Sequence, residues 1–214
     1  MISSDYTDHL LNLAAVVYHP ADDVDGLLRD FALELIRRGH RVGGLVQHNE
    51  KNGQDPRRAM ELIDLMSGRM FPISQASGDC KLDPSGLANA ALAIGNAVQA
   101  GVELVIVNKF STQEAAGKGL RDELAAAVAA GLLVLTAVPE KHLDAWTAFT
   151  GGFGTTLASE RSVIDDWWQE ISWRTSRRRV LAQLERCGEP GPGLTRPDGQ
   201  KSQEDSLSLP LTCR

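Results

Sequence analysis

The segment Asn108-Lys-Phe-Ser-Thr-Gln-Glu-Ala-Ala-Gly-Lys-Gly119 concentrates groups that could do chemistry. Lys109 would neutralise an oxyanion, with Asn108 and Ser111 as hydrogen-bond donors. Glu114 stands five residues further on. It is either the partner of Lys109 in an ion pair that orders the loop, or an acid able to hold a divalent cation. A second cluster is Tyr18-His-Pro-Ala-Asp-Asp-Val-Asp25. An apolar strand, a tight turn and a periodic helix are the setting of a phosphate loop, yet the G-x-x-x-x-G-K-[ST] signature is absent. Asp22, Asp23 and Asp25 crowd the helix start instead. Asp22 or Asp23 reads as a helix cap; the competing reading makes Asp22 and Asp25 ligands of a cation. A third group is Cys80-Lys81, where the ammonium would lower the thiol pKa and create a reactive or metal-binding sulfur; the alternative is a structural thiol. Tyr18 and His19 complete the candidate ligand-binding set, with Gln47 and Ser74 as weaker members.

The elements that must position these residues follow from hydrophobic period. Residues 13–18 are a β-branched apolar strand. Val24, Leu27, Leu28, Phe31, Leu35 and Ile36 form one helical stripe that Gly39 closes. Residues 41–47 give a second strand, and its Gly43-Gly44 pair predicts close backbone approach or a bulge. Residues 59–65 and 69–75 predict an antiparallel hairpin turning near Ser67-Gly68. Asp83-Pro84 opens a helix carrying Leu87, Ala91, Ile94 and Val98. Glu103 to Asn108 and Leu132 to Val138 read as strands buried on both faces. Helices are expected over 119–130 and 141–149. This alternation predicts an α/β protein with a three-layer, mainly parallel sheet and an antiparallel hairpin insertion. In such a sheet ligands sit beyond the carboxyl ends of the strands, which selects Tyr18 to Asp25, Gln47 to Asn49, Asn108 to Glu114 and Thr136 to Glu140.

The domain expectation is an α/β domain over 10–158, a Trp/Arg-rich helical extension over 159–187, and a disordered tail over 188–214. Trp167, Trp168 and Trp173 read as packing or interface residues. The chain has 214 residues and a net charge of −6. That charge argues against general nucleic-acid binding, because no overall positive field attracts a phosphate backbone. Three widely spaced cysteines, no signal-peptide pattern and no apolar run of spanning length lead to the expectation of a reducing, cytoplasmic setting without membrane insertion.

Several blocks in order resemble a bacterial family labelled molybdenum ABC transporter ATPase-like. They include Ala15-Val-Val-Tyr18 with Asp22-Asp-Val-Asp25, Arg41-Val-Gly-Gly-Leu-Val-Gln47, Phe71-Pro-Ile-Ser-Gln75, Cys80-Lys-Leu-Asp-Pro84, Val107-Asn-Lys-Phe110 and Leu135-Thr-Ala-Val-Pro139. More distantly the layout resembles the small P-loop nucleoside-triphosphatases, which implies a P-loop NTPase-like fold with a degenerate phosphate loop. In that group an acidic pair follows the strand that here ends at Asn108-Lys109, so ordinary phosphoanhydride hydrolysis would lack its cradle and its metal anchor. The expectation is a protein that binds molybdate or another oxyanion, with nucleotide less favoured, or a protein partner, in molybdenum-enzyme biogenesis or metal homeostasis. The alternatives are an atypical metal-dependent nucleotide hydrolase or transferase, and an interaction module acting through the C-terminal helix, for instance as a homodimer.

Overall fold

The computed structural model describes residues 12–49, 60–73 and 84–188. Cys80, Lys81, Asp83 and Ser74 lie outside them. The chain divides into a compact unit ending at Thr175 and a second beginning at Ser176. In the first unit, β1 (Leu13–Tyr18) leads into α1 (Val24–Arg37) and β2 (Val42–Asn49). The hairpin β3 (Met60–Asp64) and β4 (Met70–Pro72) follows, then α2 (Pro84–Gln99) and β5 (Leu104–Val107). After these come α3 (Thr112–Ala115), α4 (Arg121–Ala129), β6 (Leu133–Pro139), α5 (Leu143–Thr150), β7 (Thr155–Ala158) and α6 (Arg161–Gly188), whose residues from Ser176 on belong to the second unit.

Among the described residues seven strands form one sheet, in the order β4-β3-β2-β5-β6-β1-β7. β2, β5, β6, β1 and β7 run parallel, while β3 and β4 pair antiparallel at one edge. Alternation along the strands separates two apolar layers. Leu13, Ala15, Val105, Val107 and Val134 face α2, α4 and α5 through Ala93, Ile94, Leu124 and Trp146. Ala14, Val16, Ile106 and Leu135 face α1 and α6 through Leu28, Phe31, Trp167, Trp168 and Ile171. Fully burying a side chain such as Phe31 or Leu28 contributes about 1.5–3 kcal/mol, so these two layers fix where the strand ends lie.

Trp167 and Trp168 are therefore packing residues, set into the second layer, whereas Trp173 is exposed. In the second unit Val180, Leu181 and Leu184 are exposed on a helix. The paired glycines of β2 answer to close approach. A Cβ on Gly43 would lie 2.6 Å from the Ala97 Cβ of α2, and one on Gly44, which has a φ of +96°, would lie 2.1 Å from the Ile106 carbonyl oxygen.

The sequence pattern did not predict β7. Its four residues bury only Leu157, too short an alternation to register against the preceding Gly151 to Gly154. The single turn α3 is likewise shorter than a readable helical period. No helix among the described residues is long and apolar enough to cross a membrane.

Candidate functional site

The carboxyl ends of β1, β5 and β6 open onto one rim, because Tyr18 pairs in register with Pro139 and Val107 with Thr136. The three acids of the first loop do separate jobs there. Asp22 Oδ2 accepts from the His19 N–H at 2.8 Å, closing the turn. Asp23 is the helix cap, its Oδ1 accepting from the Gly26 N–H at 3.1 Å. That cap also explains the glycine, since a Cβ on Gly26 would lie 2.5 Å from Asp23 Oδ2. Asp25, in the first turn of α1, points to the loop that follows β5.

There Asn108 Nδ2 donates to Asp25 Oδ1 at 2.9 Å. Lys109 Nζ donates to Asp25 Oδ1 at 3.1 Å and to Oδ2 at 3.3 Å. The same ammonium lies 5.4 Å from the centre of the Tyr18 ring. Burial pushes the Tyr18 phenol above its ordinary value, and the Lys109 charge beside it limits the rise. The Lys109 and Asp25 side chains are only 21% and 14% exposed. Asn108 is 2% exposed, and its Oδ1 is buried with no hydrogen-bond partner.

The loop beyond Lys109 is pinned at several points. Thr136 Oγ1 donates to the Val107 carbonyl at 2.6 Å and accepts from the Phe110 N–H at 3.2 Å. Phe110 plugs into an aromatic group with Trp146 and Phe149. Glu114 is buried, and its carboxylate takes the Ser111 N–H at 2.9 Å and the Leu120 N–H at 3.0 Å. A Cβ on Gly119, which has a φ of +65°, would lie 2.1 Å from Glu114 Oε1. Lys109 thus pairs with Asp25 and not with Glu114, the partner that its place in the sequence suggested. Ser111 and Glu114 form a capping box at the start of this turn.

The other candidates are spread more widely. His19 Nδ1 lies 3.1 Å from Glu140 Oε2 at the exposed end of β1. Gln47 is buried in β2 opposite Leu62. A cavity of about 470 Å³ lies between the ends of β1 and β7, lined in part by His19, Asp22, Ser159 and Glu160. Its acids suit an anion poorly, and it is not legible in the sequence because β7, which forms one wall, is not. Among the described residues no group of three or more His, Cys, Asp or Glu side chains gathers in a way that could hold a metal ion.

Residues 13–167 match the family described as Protein of unknown function (DUF2478). The chain belongs to the DUF2478 family. The match runs from the first residue of β1 into α6, so it includes every strand and both loops of the rim. A similar segment, 54% identical over 171 residues, occurs in the Bradyrhizobium diazoefficiens protein named Molybdenum import ATP-binding protein ModC 2. It takes in 78% of this DUF2478 chain but 19% of that protein, so the chain spans about a fifth of the curated relative it matches. In shape the chain is similar to the solution structure of a human cancer-related nucleoside triphosphatase, with a TM-score of 0.53. The two are 14% identical, over 67% of this chain and 86% of that one, a likeness of fold alone. The expected P-loop NTPase-like architecture is therefore the one the chain adopts.

Proposed function

We propose that this DUF2478 chain is an NTPase-like protein without ordinary NTPase chemistry, which binds a small oxyanion at Lys109 and serves as an accessory in molybdenum-enzyme biogenesis or metal homeostasis. One observation carries the reading. Lys109 and Asn108 converge on a carboxylate in the first turn of α1. An ammonium, an amide N–H and a helix N-terminus are the components of an anion slot. Asp25 fills that slot from within. An incoming oxyanion takes over the Lys109 and Asn108 donors as the Asp25 side chain turns aside. The phosphate loop has degenerated: the chain carries no lysine between Tyr18 and Gly26, and Asn108-Lys109 follows β5. Lys109 then does from the strand end what a phosphate-loop lysine does from the helix start.

A thermal-shift screen with phosphate, sulfate, molybdate, tungstate, ATP and GTP tests this reading, with magnesium-dependent turnover assayed alongside. A ligand at 100 times its Kd adds about 2.7 kcal/mol of apparent stability. For a chain of this size that is roughly 5–10 °C in Tm. The expected result is a shift with an inorganic oxyanion that Lys109→Ala abolishes. No shift with any compound, or an equal shift in the variant, overturns the reading; magnesium-dependent hydrolysis of ATP or GTP replaces it with the hydrolase alternative.

A second reading, docking to a protein partner, is favoured by the length of the Bradyrhizobium relative, which carries a similar segment in one polypeptide with the rest of a protein named for molybdenum import. A complex formed between the purified chain and a purified molybdate-importer ATP-binding subunit, measured by light scattering, supports it. Two unassociated species contradict it.

A further inference from the structure

The unpartnered oxygen of Asn108 constrains what the rim can bind. Buried polar atoms are nearly always paired, and an unpaired one costs the full desolvation of the group. Asn108 is 2% exposed. Its donor side is committed to Asp25 Oδ1 at 2.9 Å, and its acceptor side has no partner. The Asp25 carboxylate settles which way the amide faces, because the opposite rotamer would set oxygen against oxygen. The slot therefore offers donors from Lys109 and an unmet acceptor on Asn108, both next to a carboxylate that can only accept while ionised.

We infer that the Lys109 slot selects a protonated oxyanion of the hydrogen-phosphate class over fully ionised tetrahedral oxyanions such as sulfate and molybdate. This inference rests on the oxyanion reading above. At neutral pH every species of inorganic phosphate keeps at least one proton, so it places an O–H on Asn108 Oδ1 and a charged oxygen on Lys109. Sulfate and molybdate bring acceptors only. Either one leaves the Asn108 oxygen unsatisfied and sets a second acceptor against it. Sites built to pair a ligand O–H reject the analogue that lacks it, since the buried group on the protein is then left unmet. A role beside molybdenum chemistry then runs through a partner and not through molybdate as the ligand of this slot.

The test is calorimetric titration of the full chain at neutral pH with inorganic phosphate, sulfate and molybdate in turn. Phosphate is expected to bind roughly 10- to 100-fold more tightly than either other ion, the span expected for one buried acceptor left unpaired. Asn108→Leu removes the acceptor, and where it folds it is expected to bring the phosphate-to-sulfate ratio close to one. Sulfate or molybdate binding as tightly as phosphate to the wild-type chain overturns the selectivity and leaves the oxyanion reading standing. Binding of none of the three overturns the oxyanion reading and the selectivity with it.

Discussion

Two acids at the same rim, Glu114 and Asp25, are held in opposite ways. Each stands in the first turn of a helix that follows a strand end, and each is largely removed from solvent. Glu114 takes backbone N–H groups from Ser111 and Leu120, three and six residues away along the chain. Asp25 takes side-chain donors from Asn108 and Lys109, 83 and 84 residues away. Only one of these two contacts can exchange. A backbone N–H cannot leave without unfolding its loop, so Glu114 is a structural pin. A lysine ammonium can swing to another anion by rotating its own side chain, so Asp25 is a replaceable occupant.

Breaking the pin should produce the largest effect. Glu114→Ala leaves two backbone N–H groups without their acceptor, and loss of charge-assisted bonds of this kind costs about 2–4 kcal/mol in total. Urea unfolding measures it; a loss below about 0.5 kcal/mol would show that water replaces the carboxylate and that the two acids do not differ as described. Lys109→Ala should cost less, about 1–3 kcal/mol, because a partly exposed pair is screened and Asp25 can rehydrate. Adding Asp25→Asn to that variant should recover part of the loss. A double-mutant cycle in which the two losses simply add would remove the pairing from the explanation.

The smallest effect concerns Tyr18. Burial raises its phenol while Lys109 lowers it, with a net rise. A raised folded-state value means that the contribution to stability is complete below the ordinary tyrosine pKa of about 10. It is lost as pH climbs through the folded value. The chain has two tyrosines, so an ultraviolet titration that follows Tyr18 in a Tyr6→Phe background should find it above the ordinary value, and higher still in Lys109→Ala. A lower value in that variant contradicts the proximity of the ammonium.

Much of the fold was legible because its signals are periodic. Buried strands such as Leu104–Val107, the stripe of α1 and the paired glycines of β2 each carry a pattern that can be read locally. β7 was not legible, since an edge strand that buries one leucine has no period to read. At the rim, the sequence marked Asn108, Lys109 and the first-loop acids as unusual from their types and their place at strand ends. It offered Glu114 as the partner of Lys109 because that acid is near in sequence. The actual partner depends on β6 lying between β1 and β5 in the sheet, a long-range arrangement that spacing does not encode. The loose end on Asn108 was equally invisible, because it depends on which side of one amide Asp25 occupies.

The exchange of Lys109 between Asp25 and an external anion is tested most directly by calorimetric titration of phosphate into the wild-type chain and into Asp25→Asn. Removing the internal charge frees the ammonium and ends a repulsion, so the variant should bind phosphate more tightly, by roughly ten-fold or about 1.4 kcal/mol. Equal or weaker binding in the folded variant would contradict the exchange and make Asp25 a fixed part of the structure, like Glu114.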